Sequence, residues 1–185
     1  MNYKNYKNSR DMAWKILINE RITALPVSVS GLSKSMGIEL RYYDSTDGSD
    51  GFSTIVNGSP IISINRLASR GRKRFTAAHE LGHILLGHVG NYGGLVNREP
   101  SPDDNPIEQA ANIFASRLLA PACVLWALKV DSAAQIAELC DISIQAAEFR
   151  MKRMTLLYER DKFLTSPLER QVYEQFLPWV SSQKL

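Results

Sequence analysis

The chain has three histidines, and all of them fall within RFTAAHELGHILLGH, Arg74 to His88. His79 and His83 are four residues apart, which on a helix leaves them roughly 40° apart about the axis and about 6 Å apart along it. Two imidazoles so placed can share one ion. Ala77, Ala78, Leu81, Ile84 and Leu85 fall on the opposite side of the wheel, so the apolar face is expected to pack and the histidine face to stay free. Glu80 projects between these faces, nearer the histidines, where its carboxylate reaches a water held by an ion without being a ligand itself. This is the HExxH arrangement of hydrolytic zinc sites. The bland alternative is a helix whose polar residues are merely solvated or capped, but few short patterns are as specific. Gly82, Ala77 and Ala78 strengthen the metal reading by permitting close packing around the site.

Hydrolytic zinc needs three protein ligands and one open position. His88 invites assignment as the third. The metzincin pattern HExxHxxGxxH, however, requires Gly and His where this chain has Leu86 and Val89. On a continuing helix His88 would lie about 180° from His79, so a packing or capping role is expected of it. Glu108 in NPIEQAANIFASRLLAP is the better candidate, because Ala110, Ala111 and Ala115 let its helix approach the histidine helix closely. Asn105, Pro106 and Glu108 also fit the N-cap, N1 and N3 positions of a capping arrangement without catalytic meaning. Glu99, Asp103 and Asp104 in the preceding loop compete for the ligand role.

The elements that must position these residues follow from periodicity and turn signals. Residues 9–22 have helical spacing after Ser9 as an N-cap candidate, and a short helix follows Pro26 and ends at Gly37. IELRYY reads as a strand. FSTIV and PIISI flank Asn57-Gly58, a strong hairpin signal, and Pro60 suits an edge strand. Helices are expected over 70–88, 106–119, 132–139, 143–158 and 167–176, the last opened by Ser166 and Glu169 in a capping-box arrangement. Residues 89–105 form a Gly- and Pro-rich loop. The sum is an α+β fold, a small antiparallel sheet packed against a mainly helical bulk that ends in a C-terminal helical hairpin. The division expected is 1–125 for the domain holding the site and 126–185 for a helical extension.

Composition narrows the function classes. The 185 residues include 22 Lys and Arg against 19 Asp and Glu, a formal charge of +3, too small an excess to indicate nucleic acid. The polar start and the lack of a long apolar run lead us to expect a cytoplasmic protein that does not engage a membrane. Cys123 and Cys140 lie on apolar helical stretches without CxxC spacing and read as reduced core thiols. AAQIAELCDISIQAAEFRMKRM reads as helix, turn and helix, with Arg150, Lys152 and Arg153 adding charge. Its second helix opens with SIQAAEF, poor in base-reading groups, so a structural or partner-docking role is expected rather than stable DNA binding. The RGRKR run, residues 70–74, reads as a solvated face.

RFTAAHELGHILLGH followed by EQAANIFASRLLAP resembles the ImmA/IrrE family of metallopeptidases, with a gluzincin type of site. The resemblance extends to ALPVSVSGLSKSMGIEL, PIISIN and IAELCDISIQAAEFRMKRM, and so spans about residues 10–158. It implies a zincin-like domain in which His79, His83 and Glu108 hold the metal and Glu80 is the catalytic glutamate. It also implies a partner, a helix-turn-helix (Xre-like) repressor that is cut to release a mobile-element, prophage or stress operon. One zinc per chain is expected, with manganese as the substitute. A noncatalytic antirepressor, or a toxin–antitoxin component that binds its partner without cutting it, is the alternative. Tyr92 or an arginine is the expected oxyanion donor.

Overall fold

The computed structural model describes residues 3–89 and 105–183. In chain order the elements are α1 (Tyr3–Asn19), α2 (Val29–Ser35), β1 (Glu39–Tyr43), β2 (Gly51–Val56), β3 (Ser59–Asn65), α3 (Arg70–Leu85), α4 (Pro106–Leu119), α5 (Ala122–Ala127), α6 (Ala133–Cys140), α7 (Ile144–Glu159) and α8 (Pro167–Ser182). The class is α+β. Two compact units are formed, one by Met1–Met12 with Ser28–Ala115 and the other by Ala13–Val27 with Ser116–Leu185.

In the first unit the sheet order is β1-β3-β2. β2 and β3 are antiparallel, with Thr54 opposite Ile61. Asn57 and Gly58 join them with φ of 51° and 78°, the doubly positive turn that matches strand twist. β1 pairs parallel with β3, Leu40 opposite Ile62, so the sheet is mixed where an antiparallel one was expected. The cause is nonlocal. A hairpin signal fixes only adjacent strands, whereas the side on which β1 adds depends on residues 44–50, which pass the C-terminal end of β3 to reach β2. Asn65 at that end holds the crossing: its Nδ2 donates to the carbonyls of Ser45 (2.8 Å) and Ser49 (2.9 Å), and its Oδ1 accepts from Leu67 N–H (3.1 Å). β3 is therefore central, and Pro60 is not on an edge. It precedes Ile61, the first β3 residue in the register with β1's Glu39, a strand-start position that tolerates a missing N–H.

α3 packs against α2, β2 and β3. Ile61, Ile62, Ile64, Ala77, Ala78 and Leu81 are buried; β3 is buried without a break from Ile61 to Asn65, on both faces, as suits the central strand of the sheet. At the start of α1, Ser9 is not the N-cap expected. It is buried inside the helix, and its hydroxyl donates to the Asn5 carbonyl (3.1 Å), a bond back along the helix that lets a serine sit in its interior.

The second unit contains a helix that the sequence reading missed. Pro121 ends α4, but its φ of −62° also suits the residue before a helix, and α5 starts immediately after it with Ala122 to Leu125 buried. By composition, Pro106–Ala127 is long and apolar enough to cross a membrane, yet 72% of its apolar window is buried in the protein. Trp126 stacks on Phe163, with ring centroids 5.3 Å apart. α6 and α7 form the expected helical hairpin around Asp141, whose φ is 53°. Arg150, one of the hairpin's three basic residues, is buried, and its Nε donates to the Ala120 carbonyl (2.7 Å). The reciprocal capping box expected of Ser166 and Glu169 is not formed, and Glu169 reaches instead to the residue before the N-cap. It accepts from Thr165 N–H (3.2 Å), while Ser166 makes no side-chain cap bond. Cys123 and Cys140 are both buried and unbridged, and burial pushes the Cys123 thiol up to about 12.

Candidate metal centre

Every residue of α3 from Thr76 to His83 is buried. The histidine face is thus not free, as the helical wheel suggested. The sheet takes one side of α3 and the start of α4 takes the other. Gly82 permits this approach, because a Cβ there would lie 2.9 Å from Cδ1 of Phe114 on α4. The wheel identified the two faces correctly but could not show that the polar one also acquires a protein neighbour.

The contact with α4 places Glu108 over both histidines. Its carboxylate oxygens lie 3.1 Å from Nε2 of His79 and 3.3 Å from Nε2 of His83, and the two Nε2 atoms are 2.8 Å apart. One donor atom from each of the three residues falls within 4.8 Å of the others. The capping and site readings of this segment prove compatible. Asn105 caps the helix, its Oδ1 accepting from Ile107 N–H (2.9 Å), and the Glu108 carboxylate is turned to the histidines. Burial by itself would raise Glu108, but the hydrogen bonds and charge of His79 and His83 outweigh it and hold the carboxyl well below the ordinary range. Two buried imidazole nitrogens and the oxygen of a half-buried carboxylate, all convergent, are a donor set that suits zinc.

The outer nitrogens of the imidazoles are also engaged. His79 Nδ1 is 2.8 Å from Asn112 Oδ1. An amide oxygen only accepts, so Nδ1 carries a proton, and once the ring gives up its second proton to bind an ion Nε2 presents the lone pair. His83 Nδ1 is 3.0 Å from Nδ1 of His88. Burial, with His83 as the next cause, pushes His88 down to about 4, so its ring is neutral near pH 7. The packing or capping role expected for His88 is thus realised as a ring contact with His83.

Glu80 is buried beside this group, and its Oε2 accepts from the Ser53 hydroxyl (2.8 Å). Sequence reasoning missed Ser53, which lies two residues from Gly51 on the buried side of β2, where a hydroxyl needs a partner. It missed Asn112 as well, four residues from Glu108 on one helix face. Glu99, Asp103 and Asp104, the competing ligands, and Tyr92, the suggested oxyanion donor, lie outside the described residues. The basic run before the site is partly paired: Arg72 Nε lies 2.6 Å from Asp50 Oδ1, and Lys73 Nζ donates to the Arg66 carbonyl (3.2 Å).

No curated protein matches the chain. A family model does, over residues 33–152, and its description is Peptidase_M78, IrrE N-terminal-like domain. The match takes in the sheet, α3, α4 and most of the α6–α7 hairpin.

Proposed function

The chain belongs to the IrrE N-terminal-like family of metallopeptidases, and on that premise we propose that it is a zinc-dependent endopeptidase that cuts a helix-turn-helix (Xre-like) repressor. Cutting would release a mobile-element, prophage or stress operon in the cytoplasm. The observation that carries the hydrolytic part is the separation of roles around α3. His79, His83 and Glu108 converge on one point, while Glu80, adjacent in sequence, is held by Ser53 on β2. The repressor as substrate rests on the sequence resemblance alone.

A zinc ion held by His79, His83 and Glu108 would supply Lewis acidity, polarising the scissile carbonyl and lowering the pKa of water toward about 7. Ser53 fixes one oxygen of Glu80, which orients the carboxylate so that its other oxygen, Oε1, takes the proton of the attacking water and returns it to the leaving amine nitrogen. Asn112 holds the His79 ring in the tautomer that donates through Nε2. β2 is an outer strand of the sheet and carries exposed Ile55 and Val56, so an extended peptide can add to it by backbone pairing.

Glu80→Gln tests the reading. The amide keeps the shape of the side chain but cannot take up the proton, so metal and fold should persist while cleavage falls by about 10² to 10⁴. Co-expression of each form with the candidate repressor, with fragments followed by mass spectrometry and repression by a reporter, provides the measurement. Equal relief of repression by both forms, without fragments from either, would establish a noncatalytic antagonist instead.

A further inference from the structure

His88 is the one histidine that the proposed chemistry leaves without a task, and the fold delivers it to a specific atom. α3 ends with Leu86 as its C-cap. Gly87 follows with φ of +76°, in the left-handed region that costs glycine least. Gly87 N–H then bonds the Ile84 carbonyl (3.1 Å), and His88 N–H bonds the His83 carbonyl (2.9 Å). This is the Schellman pair of bonds, in which the second residue past the cap returns to the third residue before it. The residue so returned to His83 by its backbone also meets it by its side chain, Nδ1 to Nδ1 at 3.0 Å, with the rings tilted by 67°. A helix that simply continued would have carried His88 to the opposite side.

Two imidazole nitrogens at hydrogen-bond distance need one proton between them. Nε2 of His83 faces His79 and Glu108. If that nitrogen is to give its lone pair to an ion, the ring proton must sit on Nδ1, and only an unprotonated Nδ1 on His88 can receive it. We propose that His88 is a positioning residue of the metal centre, accepting the Nδ1 proton of His83 and so holding that ring in the tautomer and orientation that present Nε2 to the ion. It does for His83 what Asn112 does for His79. This inference rests on the metal reading of His79, His83 and Glu108.

The test is zinc affinity, measured by competition with a chromophoric chelator on the full chain. His88→Ala should weaken binding by about 10- to 100-fold, the usual effect of losing such an outer partner, with the metal-free fold preserved by circular dichroism. Position within the ring is then resolved by two further variants. Asn places an oxygen near the former Nδ1 and Gln near the former Nε2, so His88→Asn should bind zinc close to the wild-type level and His88→Gln should not. In the zinc-loaded wild type, the Nδ1 proton of His83 should give a slowly exchanging downfield proton resonance that His88→Ala loses and His88→Asn regains. Wild-type affinity in His88→Ala overturns the proposal. If that variant does not fold, equal affinities in the Asn and Gln variants overturn it instead. A wild-type protein that binds no zinc overturns the metal reading together with it, an outcome distinct from zinc bound equally by all forms.

Discussion

Ser53 shows how much one hydroxyl can decide. Its hydrogen bond to Glu80 is made inside the protein, and leaving a buried polar group without its partner costs about 1–3 kcal/mol. Ser53→Ala should therefore lower stability by an amount in that range, retain zinc because no ligand is touched, and reduce cleavage because the carboxylate loses its fixed orientation. Zinc content and turnover measured on the same preparation check this, and unchanged turnover would remove Ser53 from the site. Of the residues that converge, His79 and His83 were legible from spacing, since HExxH is a local pattern, whereas spacing left Glu108 in competition with the acidic residues of the preceding loop and only the family resemblance singled it out. Ser53 and His88 were harder to see. The first contact spans the distance from a strand to a helix, and the second depends on a left-handed glycine bending the chain back.

The centre exists only if α3 and α4 meet closely, and Gly82 is where that closeness is measured. Gly82→Ala gains about 1 kcal/mol of helix propensity, but its Cβ would stand 2.9 Å from the Phe114 ring, and such overpacking costs about 1–3 kcal/mol. The clash falls on a ring packed in the core, with Phe114 fully buried, so the cost should exceed the gain. The variant should melt at a lower temperature and bind zinc more weakly, because pushing α4 away moves Glu108 from the histidines. A Gly82→Ala protein with raised stability and full zinc affinity would show that the approach is looser than this geometry requires. Among the elements, the hairpin, α3, α4 and the α6–α7 pair were readable from the chain. The parallel pairing of β1 was not, because it is set by a crossing loop held by Asn65, and α5 was hidden behind Pro121, which stops one helix and precedes another.

For the whole molecule, the charge is +3, and of the basic residues in the C-terminal hairpin Arg150 is buried and bonded to a carbonyl. The exposed residues of α7 include Ile144 and Phe149, with Lys152 Nζ 5.3 Å from the Phe149 ring centroid, and so few basic groups beside apolar ones suit protein contact better than base edges. We expect no stable sequence-specific complex between this chain alone and DNA at physiological salt. A mobility-shift assay on the promoter of its own operon checks this, and a tight complex would restore the DNA-binding reading of the hairpin. The central claim, a zinc centre built from α3 and α4, is tested most directly by X-ray absorption at the zinc edge on the purified, zinc-loaded protein. The expected result is about one ion per chain in a shell of nitrogen and oxygen at about 2.0–2.2 Å, with imidazole scattering from two rings. An absence of bound zinc, or a sulfur shell at about 2.3 Å that brings in the buried cysteines, would contradict it.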